Sequence, residues 1–306
     1  MVETIEVTEF EIAVWAILGG HGQLGSCFRD VLSELAIENK IFNRSEIDVT
    51  KISSITDGLA KYQPSVVINC AAWTAVDNAE DNVEEAFLIN ADGARNVAIA
   101  ARNSGARLVH VSTDYVFPGD EVGARDENAA TGPTSVYGAS KLAGEQAVAS
   151  EYGDNSLIVR TAWLYSKYGA NFVKTMVRKA LTSSEVRVVN DQLGQPTLAS
   201  DLARHIADLV HHDDATGIFH GTNSGSATWY DLTIAIYETL GVQKSLVSPV
   251  DSSAYPTKAR RPSNSVLGHM HTMSLGINEM RPWADALLES LPEISELIKE
   301  EFKNES

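Results

Sequence analysis

The chain has 306 residues, 44% of them hydrophobic, with 24 Lys+Arg against 41 Asp+Glu and a formal charge of −17. That length accommodates one large α/β domain with an appendage, or two domains. The acidic excess, with no Lys/Arg stripe, excludes nucleic acid or an anionic membrane as the main partner, because phosphate affinity is built from Lys and Arg.

Residues 1–11 are acidic and lack the basic start of a signal or transit peptide, so they read as an extension. The apolar run at 12–18 is far shorter than the roughly 20 residues that span a bilayer. A cytoplasmic protein is expected. Cys27 and Cys70 are the only cysteines; without CxxC spacing or a nearby His cluster they read as small core residues.

From residue 12 the sequence alternates short β-branched runs with Ala-rich stretches, the pattern of βαβ units and a doubly wound parallel sheet. The runs are 12–18, 66–69, 108–112 and 157–161, nearly all apolar, as strands buried on both faces require. Between the second and third, Ala86, Phe87, Asn90, Ala94, Val97, Ala98 and Ala101 approach an i, i+3, i+4, i+7 stripe, which predicts one helix over 84–104. After Thr161 the alternation breaks down. A smaller, discontinuous C-terminal lobe is expected, with the chain returning to the sheet near 217–222 and ending in a charged surface helix at 293–303.

Gly19, Gly22 and Gly25 form GxxGxxG directly after the first apolar run and before a helical stretch near Gln23 and Leu24. Such glycines let the backbone turn tightly against a pyrophosphate, which then sits on free N–H groups at a helix N-terminus. About twenty residues on, where an acid would hold a ribose diol, stands Phe42-Asn43-Arg44-Ser45. Arg44 there accommodates a 2′-phosphate, so NADPH is favoured or tolerated; Asp48 and Val49 follow as candidates to flank the adenine.

Ser112-Thr113-Asp114 ends an apolar run, and 24 residues after Thr113 comes Tyr137-Gly138-Ala139-Ser140-Lys141. Tyr137 and Lys141, at i and i+4, share a helix face, so the ammonium can favour ionisation of the phenol and make it a usable proton donor or acceptor. Thr113 can hold a substrate oxygen in line.

With Asn69-Cys70-Ala71-Ala72 and Asn90-xx-Gly93-xx-Asn96 added, these motifs resemble the extended short-chain dehydrogenase/reductases. Within them the chain is most similar to the branch that reduces dTDP-4-dehydrorhamnose. That narrower likeness rests on Thr74-Ala75-Val76-Asp77, the run from Ser112 to Phe117, Arg160-Thr161-x-Trp163, Asn171-Phe172, Asp191-Gln192-x-Gly194, Thr228-Trp229-Tyr230-Asp231 and Arg260-Arg261-Pro262. It covers some 80% of the chain.

The resemblance implies a Rossmann-like fold: an NAD(P)-binding domain over 12–162 with return segments near 186–222, and a discontinuous substrate lobe mainly within 163–306. It implies reduction of the C4 ketone of dTDP-6-deoxy-L-lyxo-4-hexulose to dTDP-L-rhamnose, with NADPH as cofactor and NADH a second candidate. Tyr137 would protonate O4, Lys141 would tune the phenol and bond the nicotinamide ribose, and Thr113 would orient the keto oxygen. Ala71 and Ala72 would let the cofactor lie close to the backbone, although tight helix–sheet packing fits them equally. Thr74 and Val76 are carried over as substrate-loop contacts, Trp163 as a flat face for the deoxysugar, and Asn171 and Arg260 as diphosphate donors, with Arg261 equally placed.

Some members dimerise through a glutamate-held metal; Cys27 replaces one of those ligands, so no metal is expected, and a monomer or a metal-free homodimer is. Trp73 and Asn78 depart from the family pattern beside the substrate loop. A dehydratase would need Asp-Glu after the Thr, where Asp114-Tyr115 stands. A 4-epimerase, or a non-catalytic NADP-binding regulatory subunit of methionine adenosyltransferase, remains the alternative.

Overall fold

The computed structural model describes residues 14–305, so the extension at 1–11 lies outside the described residues. Six parallel strands form the central sheet: β1 (Trp15–Leu18), β2 (Asn39–Phe42), β3 (Val66–Asn69), β4 (Arg107–Thr113), β5 (Ser156–Thr161) and, far along the chain, β10 (Gly217–His220). Their spatial order is β10-β5-β4-β3-β1-β2. All four residues of both β1 and β3 are buried, because helices cover both faces of the sheet and the strands can afford no polar alternation. The order reverses between β1 and β3, and ligands bind at the carboxyl ends of strands at such a switch point.

On one face, α1 (Gln23–Glu34) and α8 (Ala199–Val210) pack Leu24, Phe28, Val31, Leu202 and Ile206 against β1, β3 and β5. On the other, α2 (Ile52–Ala60), α5 (Gly93–Ser104) and α6 (Val136–Tyr152) bury Ile55, Leu59, Val97, Ala98 and Val148. The chain returns to the sheet at β10, which pairs with β5 from Gly217↔Leu157 to His220↔Arg160. The remaining chain builds a third core from α7 (Phe172–Leu181), α9 (Trp229–Thr239) and α11 (Trp283–Glu305), with a parallel pair formed by β7 (Val186–Val189) and β12 (Val247–Val250). Two separate two-residue ladders complete the strands: β6 (Leu164–Tyr165) with β9 (Thr197–Leu198), and β8 (Leu193–Gly194) with β11 (Ala227–Thr228).

The single helix expected over 84–104 is instead three pieces: α4 (Val83–Phe87), a wider π turn at Leu88–Asp92, and α5. The extra residue in a π turn re-aims a side chain, here buried Asn90. Its Oδ1 accepts from the Trp73 N–H at 2.8 Å, while Nδ2 lies 3.1 Å from the Trp73 carbonyl and 2.9 Å from Ser140 Oγ. This ties the loop after β3 to α6. The short helix α3 (Val76–Ala79) lies in that loop, and α10 (Met270–Ser274) precedes the last helix.

Two buried residues lock α6 to the sheet. Arg160 of β5 meets Glu145 at 2.9 Å through Nε and 2.7 Å through Nη2, and Ser112 Oγ donates to the same carboxylate at 2.5 Å. A buried pair with both forks satisfied specifies one arrangement, and removing one partner strands a charge. Tyr137 and Lys141 lie one to two turns upstream of Glu145 on α6, so their position is set by this anchor.

Candidate active site

The turn between β1 and α1 is built for close approach. Gly19 has φ +72°, and a Cβ there would sit 2.6 Å from the Ala71 nitrogen; at Gly25 it would sit 2.4 Å from Gly20 Cα. Gly22 begins α1 without a side-chain cap, which leaves first-turn N–H groups directed at an anion. This turn opens into a cavity of about 630 Å³ at the carboxyl ends of β1, β3 and β4.

Every residue expected at the cofactor lines that cavity: Gly19, Gly22, Gln23, Leu24 and Gly25 on the turn, Arg44, Asp48 and Val49 beyond β2, and Ala71 and Ala72 after β3. The acid of the β2 turn is diverted. Glu46 accepts from the Asn43 N–H at 2.9 Å and from Lys40 at 3.1 Å, and among the described residues no carboxylate forms an ion pair with exposed Arg44. Asp48 is occupied by Thr50, whose Oγ1 donates to it at 2.7 Å; that bond holds its carboxyl below the ordinary value. The glycine cradle, open helix terminus and unpaired guanidinium fit a dinucleotide carrying a 2′-phosphate.

Thr113, Tyr137 and Lys141 line the same cavity. Ser135 caps α6, accepting from the Gly138 N–H at 3.1 Å, which fixes the first turn carrying Tyr137. Burial holds the Tyr137 phenol well above its ordinary value, and its hydrogen bond with Thr113 opposes this only in part. Burial thus favours the protonated phenol, and no hydrogen bond joins it to Lys141 among the described residues. Lys141 Nζ donates instead to the Val111 carbonyl at 2.6 Å and stands 3.5 Å from His110 Nε2. Burial lowers its pKa to about 8, with Glu145 pulling the other way.

Asp114 was missed as a wall residue. Its Oδ1 accepts from Thr113 Oγ1 at 2.9 Å, its buried Oδ2 has no well-formed hydrogen bond among the described residues, and burial raises its pKa to about 6 against the pull of Thr113 and Ser265. Asp114 itself lines the cavity, and a buried carboxylate oxygen without a full set of partners is an acceptor that a substrate hydroxyl can satisfy. The sequence signal was its place, directly after Thr113 at a strand's carboxyl end. Tyr115 follows, edge-on to Tyr137 with ring centroids 5.5 Å apart.

Thr74, Val76 and Trp163 also line the cavity. Asn171, Arg260 and Arg261 do not. Asn171 is consumed as the cap of α7: its Oδ1 accepts from the Lys174 N–H at 2.9 Å, and its Nδ2 donates to Gln23 Oε1 at 2.9 Å and the Ser166 carbonyl at 2.8 Å. Arg260 turns outward to Asp120 at 3.5 Å. Arg261 is the inward member, bound to Asp77 at 2.5 Å and reaching Tyr115 Oη at 3.4 Å. Cys27 is buried, and burial pushes both thiols up to about 12.

The family model of the RmlD substrate binding domain matches residues 15–296. The chain belongs to that family. A relative from Streptomyces niveus, named dTDP-4-keto-6-deoxy-D-glucose reductase, is 41% identical over 281 residues, covering 91% of this chain and 96% of the relative. The dTDP-4-dehydrorhamnose reductase of Streptomyces griseus is 40% identical over 91% of this chain and 93% of its own. Among solved structures, dTDP-4-dehydrorhamnose reductase from Bacillus anthracis in complex with NADP superposes with a TM-score of 0.87 at 38% identity, covering 92% of this chain and 99% of that one. A UDP-glucose 4-epimerase from Thermus thermophilus, at 18% identity and TM-score 0.79, shares the fold.

Proposed function

We propose that this RmlD-family chain is an NADPH-dependent reductase of the C4 ketone of a dTDP-activated 4-keto-6-deoxyhexose, converting dTDP-4-dehydro-L-rhamnose to dTDP-L-rhamnose in the cytoplasm. The observation that carries the reading is one cavity holding both the glycine cradle and Thr113, Tyr137 and Lys141. The similarity to reductases over more than nine-tenths of the chain supports it.

NADPH, when bound, supplies the hydride for C4. The chain's own residues handle the oxygen. Tyr137, held protonated by burial, donates its proton to O4 as negative charge develops there. Thr113 Oγ1 sits between the phenol and Asp114 and positions the keto oxygen, while the Asp114 Oδ2 accepts from a sugar hydroxyl. Lys141 keeps a positive charge in the site to offset the phenolate that forms. Thr74 and Val76 line the part of the cavity left for the sugar nucleotide, Arg261 stands behind that loop through Asp77, and Arg44 recognises the 2′-phosphate with its planar fork.

The test is NADPH oxidation at 340 nm with the 4-keto-L-sugar nucleotide made in situ from dTDP-glucose by a dehydratase and a 3,5-epimerase. Oxidation that yields dTDP-L-rhamnose and depends on the epimerase is expected. Oxidation without the epimerase would instead assign the D-configured keto sugar in the S. niveus relative's name. No oxidation with either sugar would overturn the reading in favour of a nucleotide-sugar epimerase or a regulatory subunit.

A further inference from the structure

Asn69 and His110 are register partners on β3 and β4, and both are buried. Asn69 Oδ1 accepts from the Ala71 backbone N–H at 3.1 Å. A main-chain amide can only donate, so the Asn69 side chain has one orientation, and its Nδ2 is the group 3.2 Å from His110 Nδ1. A side-chain amide nitrogen is also a donor only. His110 Nδ1 is therefore the acceptor and carries no proton. Burial and the neighbouring lysine keep the imidazole neutral, and a neutral ring has a single N–H. That N–H is on Nε2.

Nε2 stands 3.5 Å from Lys141 Nζ. An ammonium has three protons and no lone pair. The Val111 carbonyl takes one proton at 2.6 Å, and an imidazole N–H can take none. Hydrogen bonds to a charged form favour that form, and this neighbour withholds one; the neutral amine has a lone pair that the Nε2–H can meet. The other titratable groups around Lys141 act differently. Cys70, after β3, has its thiol pushed up to about 12 by burial, and Tyr137, one turn away on α6, is kept protonated by burial as well. Glu145 favours the ammonium but is itself paired with Arg160 from β5.

We infer that His110, locked in its Nε2–H tautomer by Asn69, is a positioning residue for Lys141: it denies the ammonium an acceptor, so that the charge is weakly held and the remaining protons are left for groups entering the cavity. The relay runs from Ala71, which lines the cofactor's part of the cavity, through Asn69 and His110 to Lys141, which lines the same cavity. That this relay sets the alkaline limit of turnover rests on the reductase reading above.

Two-bond nitrogen–proton spectra of the full chain, labelled with nitrogen-15 at histidine, read the tautomer of each ring; His110 is assigned by the signal missing in His110→Gln. A neutral Nε2–H ring from pH 6 to 9 is expected, and an Nδ1–H or doubly protonated ring would overturn the inference. Asn69→Ala removes the donor that fixes the ring. His110 should then move its proton to Nδ1 and accept from the ammonium. Lys141, followed through the Cε carbon shift of labelled lysine and assigned from Lys141→Arg, should titrate about one pH unit higher. Asn69→Asp keeps an acceptor for the Ala71 N–H and sets another before Nδ1, so it should give the same two changes where the alanine variant does not fold. A lysine titration that stays in place when the tautomer changes, or moves when the tautomer does not, overturns the inference; a merely structural His110 would leave that titration alone. At saturating NADPH, the fall of kcat/KM at high pH should move with the lysine, and a limb that stays put removes His110 from the reaction. If tautomer and titration behave as expected while no ketone is reduced, the relay stands and the reductase reading falls.

Discussion

Lys141 Nζ donates to the Val111 carbonyl at 2.6 Å from a position buried beneath the cavity floor. The residues facing it are His110 and Val111 from β4, Cys70 after β3, and Glu145 from its own helix. His110 is held neutral by burial and by the neighbouring lysine, so it adds no charge. Burial brings the ammonium's pKa down to about 8. Lys141 is therefore cationic below that value and neutral above it, and kcat/KM should fall as pH rises through about 8. The check is a kcat/KM profile from pH 6 to 10, which reports groups of the free enzyme. A profile flat to pH 9.5 would remove Lys141's charge from the chemistry.

Tyr137→Phe deletes the proton donor while keeping the ring that packs edge-on against Tyr115. Turnover should drop by about 10²- to 10⁴-fold. Because the hydroxyl is directed at Thr113, NADPH affinity measured by fluorescence titration should change little. Turnover comparable to wild type would show that another group protonates O4.

Which parts of this were legible in the sequence follows from how each residue finds its place. Strands β1, β3, β4 and β5 announce themselves because burial on both faces leaves only apolar residues. β2 does not: Asn39 and Lys40 lie at the sheet edge, where one side meets solvent. The π turn at Leu88–Asp92 is invisible to periodicity, since its residues suit an ordinary helix and only the demand of Trp73 for the Asn90 amide shifts the phase. In the site, residues at strand ends and on one helix face were placed by local geometry. Arg260 and Asn171 were not, because their directions are decided by remote or competing partners, Asp120 and the Lys174 N–H. Spacing puts Lys141 near Tyr137 but does not reveal the bond its ammonium makes to the Val111 carbonyl, which only the fold brings within reach.

Arg44 faces the cavity while Glu46 is held by Lys40 and the Asn43 N–H. A charge-assisted bond to a 2′-phosphate contributes about 1.5–3 kcal/mol. Arg44→Ala should accordingly weaken NADPH by roughly tenfold or more and leave NADH nearly unchanged. Dissociation constants for both cofactors decide it, and an unaltered ratio would take Arg44 out of the cofactor site.

Arg261 and Arg260 are adjacent in sequence and opposite in role. Arg261 is gripped by Asp77 at 2.5 Å beneath the substrate loop, and the same carboxylate accepts the Ala259 N–H at 3.0 Å; Arg260 is an exposed partner of Asp120. Arg260 does not line the cavity and its exposed pair contributes little, so Arg260→Ala should leave KM for the sugar nucleotide nearly unchanged. Arg261→Ala removes the guanidinium that holds Asp77 and reaches Tyr115 behind the substrate loop, and should raise that KM by more than Arg260→Ala does. Steady-state kinetics on the two variants test the assignment, and the reverse ranking would restore Arg260.

Asp114 shows what the site gives up in stability. Its carboxyl has a pKa of about 6 in the fold against an ordinary 3.8, with burial the main cause, and its Oδ2 has no well-formed hydrogen bond among the described residues. A raised folded pKa means the folded state prefers the proton, so the penalty is absent below about pH 4, grows between the two values, and is complete above about pH 6. At 1.36 kcal/mol per unit, the cost at neutral pH is of order 3 kcal/mol. Asp114→Asn should therefore raise thermal stability at pH 7.5, lose most of that advantage at pH 4, and reduce turnover because the acceptor for a sugar hydroxyl is gone. Melting temperatures at the two pH values, with kcat/KM at neutral pH, test it. A stability gain equal at both would mean that the ionised carboxylate carries no penalty in the fold, and unchanged kcat/KM would place Asp114 outside the substrate's reach.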